Sequence, residues 1–149
     1  MELIDTHCHL DVSTFSQHHK KLLDRARATG VVQMVLPGVV QAGWTRLLGL
    51  CREETELFAA PGLHPLYLPH HTPEHLEELK SVIRTADVVA LGEIGLDYYH
   101  KSIDKEAQQQ LFEHQLRIAK REHLPVLLHV RKAHDQILAT LRKLHFPCG

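Results

Sequence analysis

His7 and His9 flank a single residue in the stretch DTHCHLD. In an extended segment alternate side chains share a face, so both imidazoles can turn to one centre while Cys8 turns away. Such a pair can ligate a divalent cation without distorting the backbone. With 14 histidines in 149 residues, roughly one His-x-His pair is expected by chance, so the pair needs partners to mean anything. Glu93 lies within the apolar stretch ALGEIG, His129 within VLLHV, and His64 follows another apolar run in PGLHP. A carboxylate buried alone is costly, and a cation beside it offsets that cost. Taken singly, His129 also reads as a hydrogen-bonded core histidine, and Glu93 as a partner for Arg131. Four candidate ligands at the same end of three strands point instead to a metal site.

Other chemistries lack support. GEIGLD has neither the Walker spacing nor the dinucleotide fingerprint. Ser13 and Ser16 sit in no nucleophile elbow. His18, His19, His70, His71 and His75 read as solvated loop or helix-surface residues, and the charges from Lys105 to Glu122 as a solvent face.

Such residues need a scaffold, and the chain supplies an alternation of short apolar runs with helix-like segments, repeated five times. That is the pattern of βα units and a parallel sheet, whose strands, covered on both faces, read as continuous apolar runs. Strands are predicted over about 3–7, 31–37, 57–60, from 88 onward, and after Pro125. Helices are predicted over about 18–29, 42–53, 73–84, 105–122 and 133–144, with Gly30 ending the first and Thr72 and Pro73 opening the third. Functional residues of α/β barrels collect at the C-terminal ends of the strands, where His7, His9, Glu93 and His129 fall.

The length suits one domain, taken here as residues 1–149, and 44% hydrophobic with 23% charged residues is ordinary for a globular chain. A net charge of −1 gives no general attraction for polyanions, so nucleic-acid binding would have to be local. No apolar run approaches a membrane span and no leader pattern opens the chain, so a cytoplasmic protein without membrane contact is expected. Cys8, Cys51 and Cys148 are odd in number and lack CxxC spacing; they are read as reduced thiols.

The residues resemble the TatD-type metal-dependent deoxyribonucleases, within the amidohydrolase-like TIM-barrel hydrolases, over essentially the whole chain. DTHCHLD at 5–11 is similar to the family's first motif, GLHP at 62–65 to its second, LGEIGLDYY at 91–99 to its third and LPVLLHVRKAHD at 124–135 to its fourth. By that resemblance His7 and His9 would bind one metal, Glu93 would bridge two, and His129 would bind the second. His64, Asp97 and Arg131 match positions near the substrate phosphate or in the supporting shell. The resemblance implies hydrolysis of DNA, or of another phosphodiester, with two divalent ions of zinc, manganese or magnesium, and the His-rich ligand set favours a transition ion. No lysine stands where relatives acting on amides carry a bridging one, which favours the TatD branch over an amidohydrolase acting on another ester or amide.

The family's barrel has eight βα units, and five are read here. The family's strand-six histidine and strand-eight aspartate have no counterpart. The chain is therefore expected to be a C-terminally incomplete barrel with open edges at strands one and five that invite self-association. The rival to an enzyme is a non-catalytic product that binds metal or a partner.

Overall fold

The computed structural model describes residues 1–15 and 18–147; Ser16 and Cys148, both considered above, lie outside the described residues. Five strands and five helices alternate: β1 (Leu3–Asp5), α1 (His19–Ala28), β2 (Val31–Pro37), α2 (Trp44–Glu53), β3 (Leu57–Ala60), α3 (Pro73–Thr85), β4 (Leu91–Asp97), α4 (Lys105–Arg121), β5 (Val126–Arg131) and α5 (His134–Lys143). All strand pairs are parallel, β1-β2-β3 in one sheet and β4-β5 in another. Helical crossovers between parallel neighbours are what this order requires.

The sequence patterns explain the elements. Asp104 caps α4, accepting from the backbone N–H of Glu106 at 2.7 Å and of Ala107 at 3.1 Å. Its inward face then carries Leu111, Phe112, Leu116, Ile118 and Ala119. These pack on β4, every residue of which is buried. A second apolar cluster, with Leu23, Met34, Leu36, Leu47 and Leu57, lies between β1-β2-β3 and helices α1 and α2.

Two strand boundaries differ from the sequence reading. β1 stops at Asp5, whose carboxylate accepts from the His7 backbone N–H at 3.0 Å. His7 and His9 thus follow the strand rather than ride on it, although Cys8 N–H still reaches Val35 O at 3.0 Å. β4 begins at Leu91 rather than Val88, because Val88 and Val89 turn to β3, with Val89 N–H on Ala59 O at 3.0 Å. Nor are all strands covered on both faces: β1 is exposed throughout, with Ile4 at 58%, because it pairs on one side only.

The two sheets meet at the level of the site. Gly38 N–H reaches Gly92 O at 2.8 Å, Glu93 N–H reaches Gly38 O at 2.8 Å, and Gly92 N–H reaches Pro61 O at 3.1 Å. Such close approach needs glycine: a Cβ at Gly62 would lie 2.6 Å from the Gly92 carbonyl carbon. Gly95, at φ 144°, sits so near the His129 carbonyl that a side chain there would collide with it. No barrel closes among the described residues, and none of their helices is long and apolar enough to cross a membrane.

Cys8 and Cys51 are free thiols, each half-buried. Burial, then the charge of Asp11, pushes the Cys51 thiol up to about 12. Because the thiolate is the reactive form, iodoacetamide at pH 8 should label Cys51 at least ~10-fold more slowly in the folded protein than in urea. Equal rates, read by mass spectrometry, would mean that this thiol is not shielded as described.

Candidate metal centre

The Glu93 carboxylate lies between two pairs of imidazoles. Its Oε2 faces His7 Nε2 at 3.2 Å and His9 Nε2 at 3.6 Å; its Oε1 faces His129 Nδ1 at 3.0 Å and His64 Nε2 at 3.7 Å. The paired rings are themselves close, His7 Nε2 to His9 Nε2 at 3.3 Å and His64 Nε2 to His129 Nδ1 at 3.0 Å. The first pair comes from the segment after β1, His64 from the turn after β3, Glu93 from β4 and His129 from β5. The cluster therefore straddles both sheets, and Glu93, only 7% exposed, is the residue common to its two halves.

Burial alone would raise the Glu93 pKa, but hydrogen bonds from His129, His64 and His9 override it and hold the carboxyl well below the usual range. The converse appears on the rings. The hydrogen bond to Glu93 raises the pKa of His9 and of His129 against the opposing effect of burial, and Asp97 adds to the rise at His129.

The donor set fits divalent cations. Ligand atoms at the bond lengths of zinc sites stand about 3.3–3.5 Å apart around a tetrahedral ion, close to the spacings on both sides of Glu93. Nitrogen lone pairs facing each other at 3.0–3.3 Å need a proton or a cation between them. Two groups, His7 with His9 and Glu93, and His64 with Glu93 and His129, each bring three potential ligand atoms within 4.8 Å of one another.

Within the second group the tautomer separates His64 from the rest. The backbone N–H of Leu66 donates to His64 Nδ1 at 3.1 Å, so a neutral ring carries its proton on Nε2, the atom aimed at Glu93 and His129. A nitrogen so protonated donates and does not ligate. His129 is arranged the other way: its Nε2 faces Asp97 Oδ2 at 3.0 Å, which leaves Nδ1 toward Glu93. Asp97 is fully buried, and its Oδ1 accepts from the backbone N–H groups of Tyr99 at 3.0 Å and His100 at 3.3 Å. Burial would raise its pKa, yet the bond to His129 and these two N–H groups lower it. Arg131 does not pair with Glu93; its guanidinium lies 3.8 Å over the Tyr99 ring, at the exposed end of β5.

The roles of three supporting residues escaped the sequence reading. His71, read as solvated, is half-buried, and its Nε2 lies 2.9 Å from the His64 carbonyl; burial lowers its pKa, so it stays a neutral donor. Gln108 and Gln115, both fully buried on α4, each clamp one residue's backbone. Gln115 accepts from Leu63 N–H at 2.8 Å and donates to Leu63 O at 2.9 Å; Gln108 does the same for Asp97 at 2.8 and 3.0 Å. Each amide stands in for a neighbouring strand where the ladder has run out, one beside His64 and the other at the residue that holds His129. The available signal was two glutamines, seven positions apart, within the apolar stripe of one helix.

The family model described as TatD related DNase matches residues 4–148. A protein of Escherichia coli (strain K12), named as the uncharacterized metal-dependent hydrolase YjjV, is 41% identical over 146 residues, covering 97% of this chain and 56% of its own. The 3'-5' ssDNA/RNA exonuclease TatD of Klebsiella pneumoniae (strain 342) is 32% identical over 140 residues, covering 94% of this chain and 53% of its own. The crystal structure of YjjV, a TatD homolog from Escherichia coli K12, superposes with a TM-score of 0.94 at 40% identity, over 97% of this chain and 57% of that one. The chain thus spans about half the length of the curated relatives it matches.

Replacing Gln115 by leucine keeps the volume but orphans a buried N–H and a buried carbonyl, each costing about 1–3 kcal/mol. Urea denaturation of Gln115→Leu should show a loss of at least ~2 kcal/mol. A loss under ~0.5 kcal/mol would mean that water replaces the amide and that the clamp carries no stability.

Proposed function

The chain belongs to the TatD-related DNase family, and from that premise we propose that it carries the two-metal half of a hydrolase that cuts phosphodiester bonds, DNA being the leading substrate. The observation that carries this reading is the Glu93 carboxylate with an imidazole group on each oxygen. Residues 1–149 are read as one partial domain, the first five βα units of an eight-unit barrel. The unpaired edges of β1 and β5 are where further strands, of a second copy or another chain, would add. Free thiols at Cys8 and Cys51 go with a reducing, cytoplasmic setting.

In this reading His7, His9 and Glu93 would hold one ion, and Glu93 and His129 would contribute to holding the second. Imidazole ligation favours a borderline transition ion such as zinc over magnesium. When bound, the ions supply Lewis acidity toward the phosphoryl oxygens and activation of water near neutral pH. The chain's own groups do the rest. Asp97 takes the Nε2 proton of His129 in a hydrogen bond and so fixes that ring with Nδ1 facing inward. His64, locked by Leu66 N–H on one side and His71 on its carbonyl, presents Nε2–H as a donor to a phosphate oxygen. Arg131, at the open end of β5, meets the phosphate charge from the solvent side.

Calorimetric titration with manganese or zinc tests the site. The wild-type chain should bind about two equivalents, His7→Ala should lose one, and Glu93→Gln should weaken both by at least ~10-fold. Hydrolysis of a nitrophenyl phosphodiester should require the metal. Unchanged stoichiometry and affinity in Glu93→Gln would overturn the reading.

A further inference from the structure

The outward face of helices α3 and α4 carries a charge pattern that the proposed metal chemistry does not use. Each helix returns from the end of one strand to the start of the next parallel strand, so the two run side by side in the same direction. Between them lies a groove of about 400 Å³, with Leu76 and Ile118 in its lining. Arg84, in the last turn of α3, reaches Glu122, which follows α4 directly, at 2.9 Å, so the two helices end level.

Charge is sorted along this face. Glu74 and Glu77 stand in the first two turns of α3, and Lys80 and Arg84 in its last two. Arg117 and Arg121 occupy the last two turns of α4, and together with Glu77 and Lys80 they line the groove. An acid-first, base-last order suits the macrodipole of each helix. Because the helices lie side by side, their patterns reinforce, and the face has an acidic end and a basic end. Its cations are loosely held. Lys80 pairs with Glu77, Arg117 with Glu113, and Arg84 and Arg121 share Glu122. All three arginine side chains are more than half exposed. Exposed pairs of this kind contribute little, so these cations can exchange partners.

A surface with one acidic and one basic end is complementary to itself. A two-fold axis perpendicular to the helices sets a second copy antiparallel to the first and lays α3 of each along the groove of the other. Glu74 and Glu77 of one copy then face Lys80, Arg117 and Arg121 of the other, twice over. The same operation opposes the helix macrodipoles, and half-buried Leu76 supplies apolar contact at the groove.

We propose that the α3–α4 face is a two-fold interface between copies of this chain, separate from the unpaired edges of β1 and β5. α3 has 13 residues and is about 20 Å long. With the helix axes about 10 Å apart, the face covers roughly 400 Å² on each copy, about 800 Å² in all. Stable dimers bury about 1,200 Å² or more, so this one is weak, with a dissociation constant above ~1 µM. Because charge carries the contact, salt loosens it.

Sedimentation equilibrium of the chain between about 5 and 500 µM tests the interface. At ~50 mM salt a reversible monomer–dimer equilibrium is expected, and its dissociation constant should rise at least ~10-fold at ~500 mM salt. Glu77→Lys and Arg121→Glu, both exposed changes, should each weaken association at least ~10-fold. An equimolar mixture of the two variants, one of them labelled with fluorescein, should recover the wild-type affinity. In the mixed dimer the new lysine of one chain faces the new glutamate of the other, while the second contact keeps its native pair. A wild-type chain that stays monomeric throughout overturns the proposal. So does a dimer that neither reversal weakens, which would be joined through the strand edges instead. Variants that both dissociate but do not recover on mixing overturn it too, since the two charges would then not meet.

Discussion

A buried carboxylate has to be compensated, and around Glu93 that requirement links both sheets. Its two oxygens point in different directions, one toward the histidines that follow β1 and one toward His129 of β5 and His64 after β3. Neither sheet alone supplies both sets. The backbone bonds from Gly38 to Gly92 and from Glu93 to Gly38, with the close passage that Gly62 permits, bring the two together at the level of the carboxylate. Removing the charge would leave His7 and His9 without the carboxylate they face; displacing the first sheet would take three of the four rings from it and leave His129 alone.

Around that carboxylate the supporting groups act in one direction, which is to fix rings before anything binds. Asp97 and the Leu66 N–H impose opposite arrangements on His129 and His64, although the two rings touch at 3.0 Å. One ring faces inward with a lone pair and its neighbour with a proton. Gln108 and Gln115 hold the backbone beneath these residues from a single helix face, so α4 sets the spacing between the end of β4 and the turn after β3. A site so braced meets little reorganisation on binding.

Much of this was legible in the residues. The alternation of apolar runs with amphipathic segments gave the order of all five strands and helices, because buried parallel strands and helix faces leave unmistakable periods. DTHCHLD, GLHP, LGEIGLDYY and LPVLLHVRKAHD carried the family resemblance, and the family match bears that resemblance out. What periodicity could not reveal was anything set by hydrogen bonding across sequence-distant segments. His71 reads as one more loop histidine until its bond to the His64 carbonyl is seen. The glutamines of α4 look like flaws in an apolar stripe until the backbone edges they satisfy are known. β1 ended early because Asp5 captures the His7 N–H, a local competition that strand propensity does not register. The exposure of β1 followed from its place at the sheet edge, a property of topology rather than of its own residues.

The central claim is that Glu93 holds a separate cation on each oxygen. It is tested most directly by crystals of the chain grown with manganese and measured for anomalous scattering. Two peaks are expected, one bounded by His7, His9 and Glu93 Oε2 and the other beside Glu93 Oε1 and His129 Nδ1, with His64 Nε2 outside the coordination sphere of both. A single peak, or peaks only at surface histidines with Glu93 bare, would contradict the account.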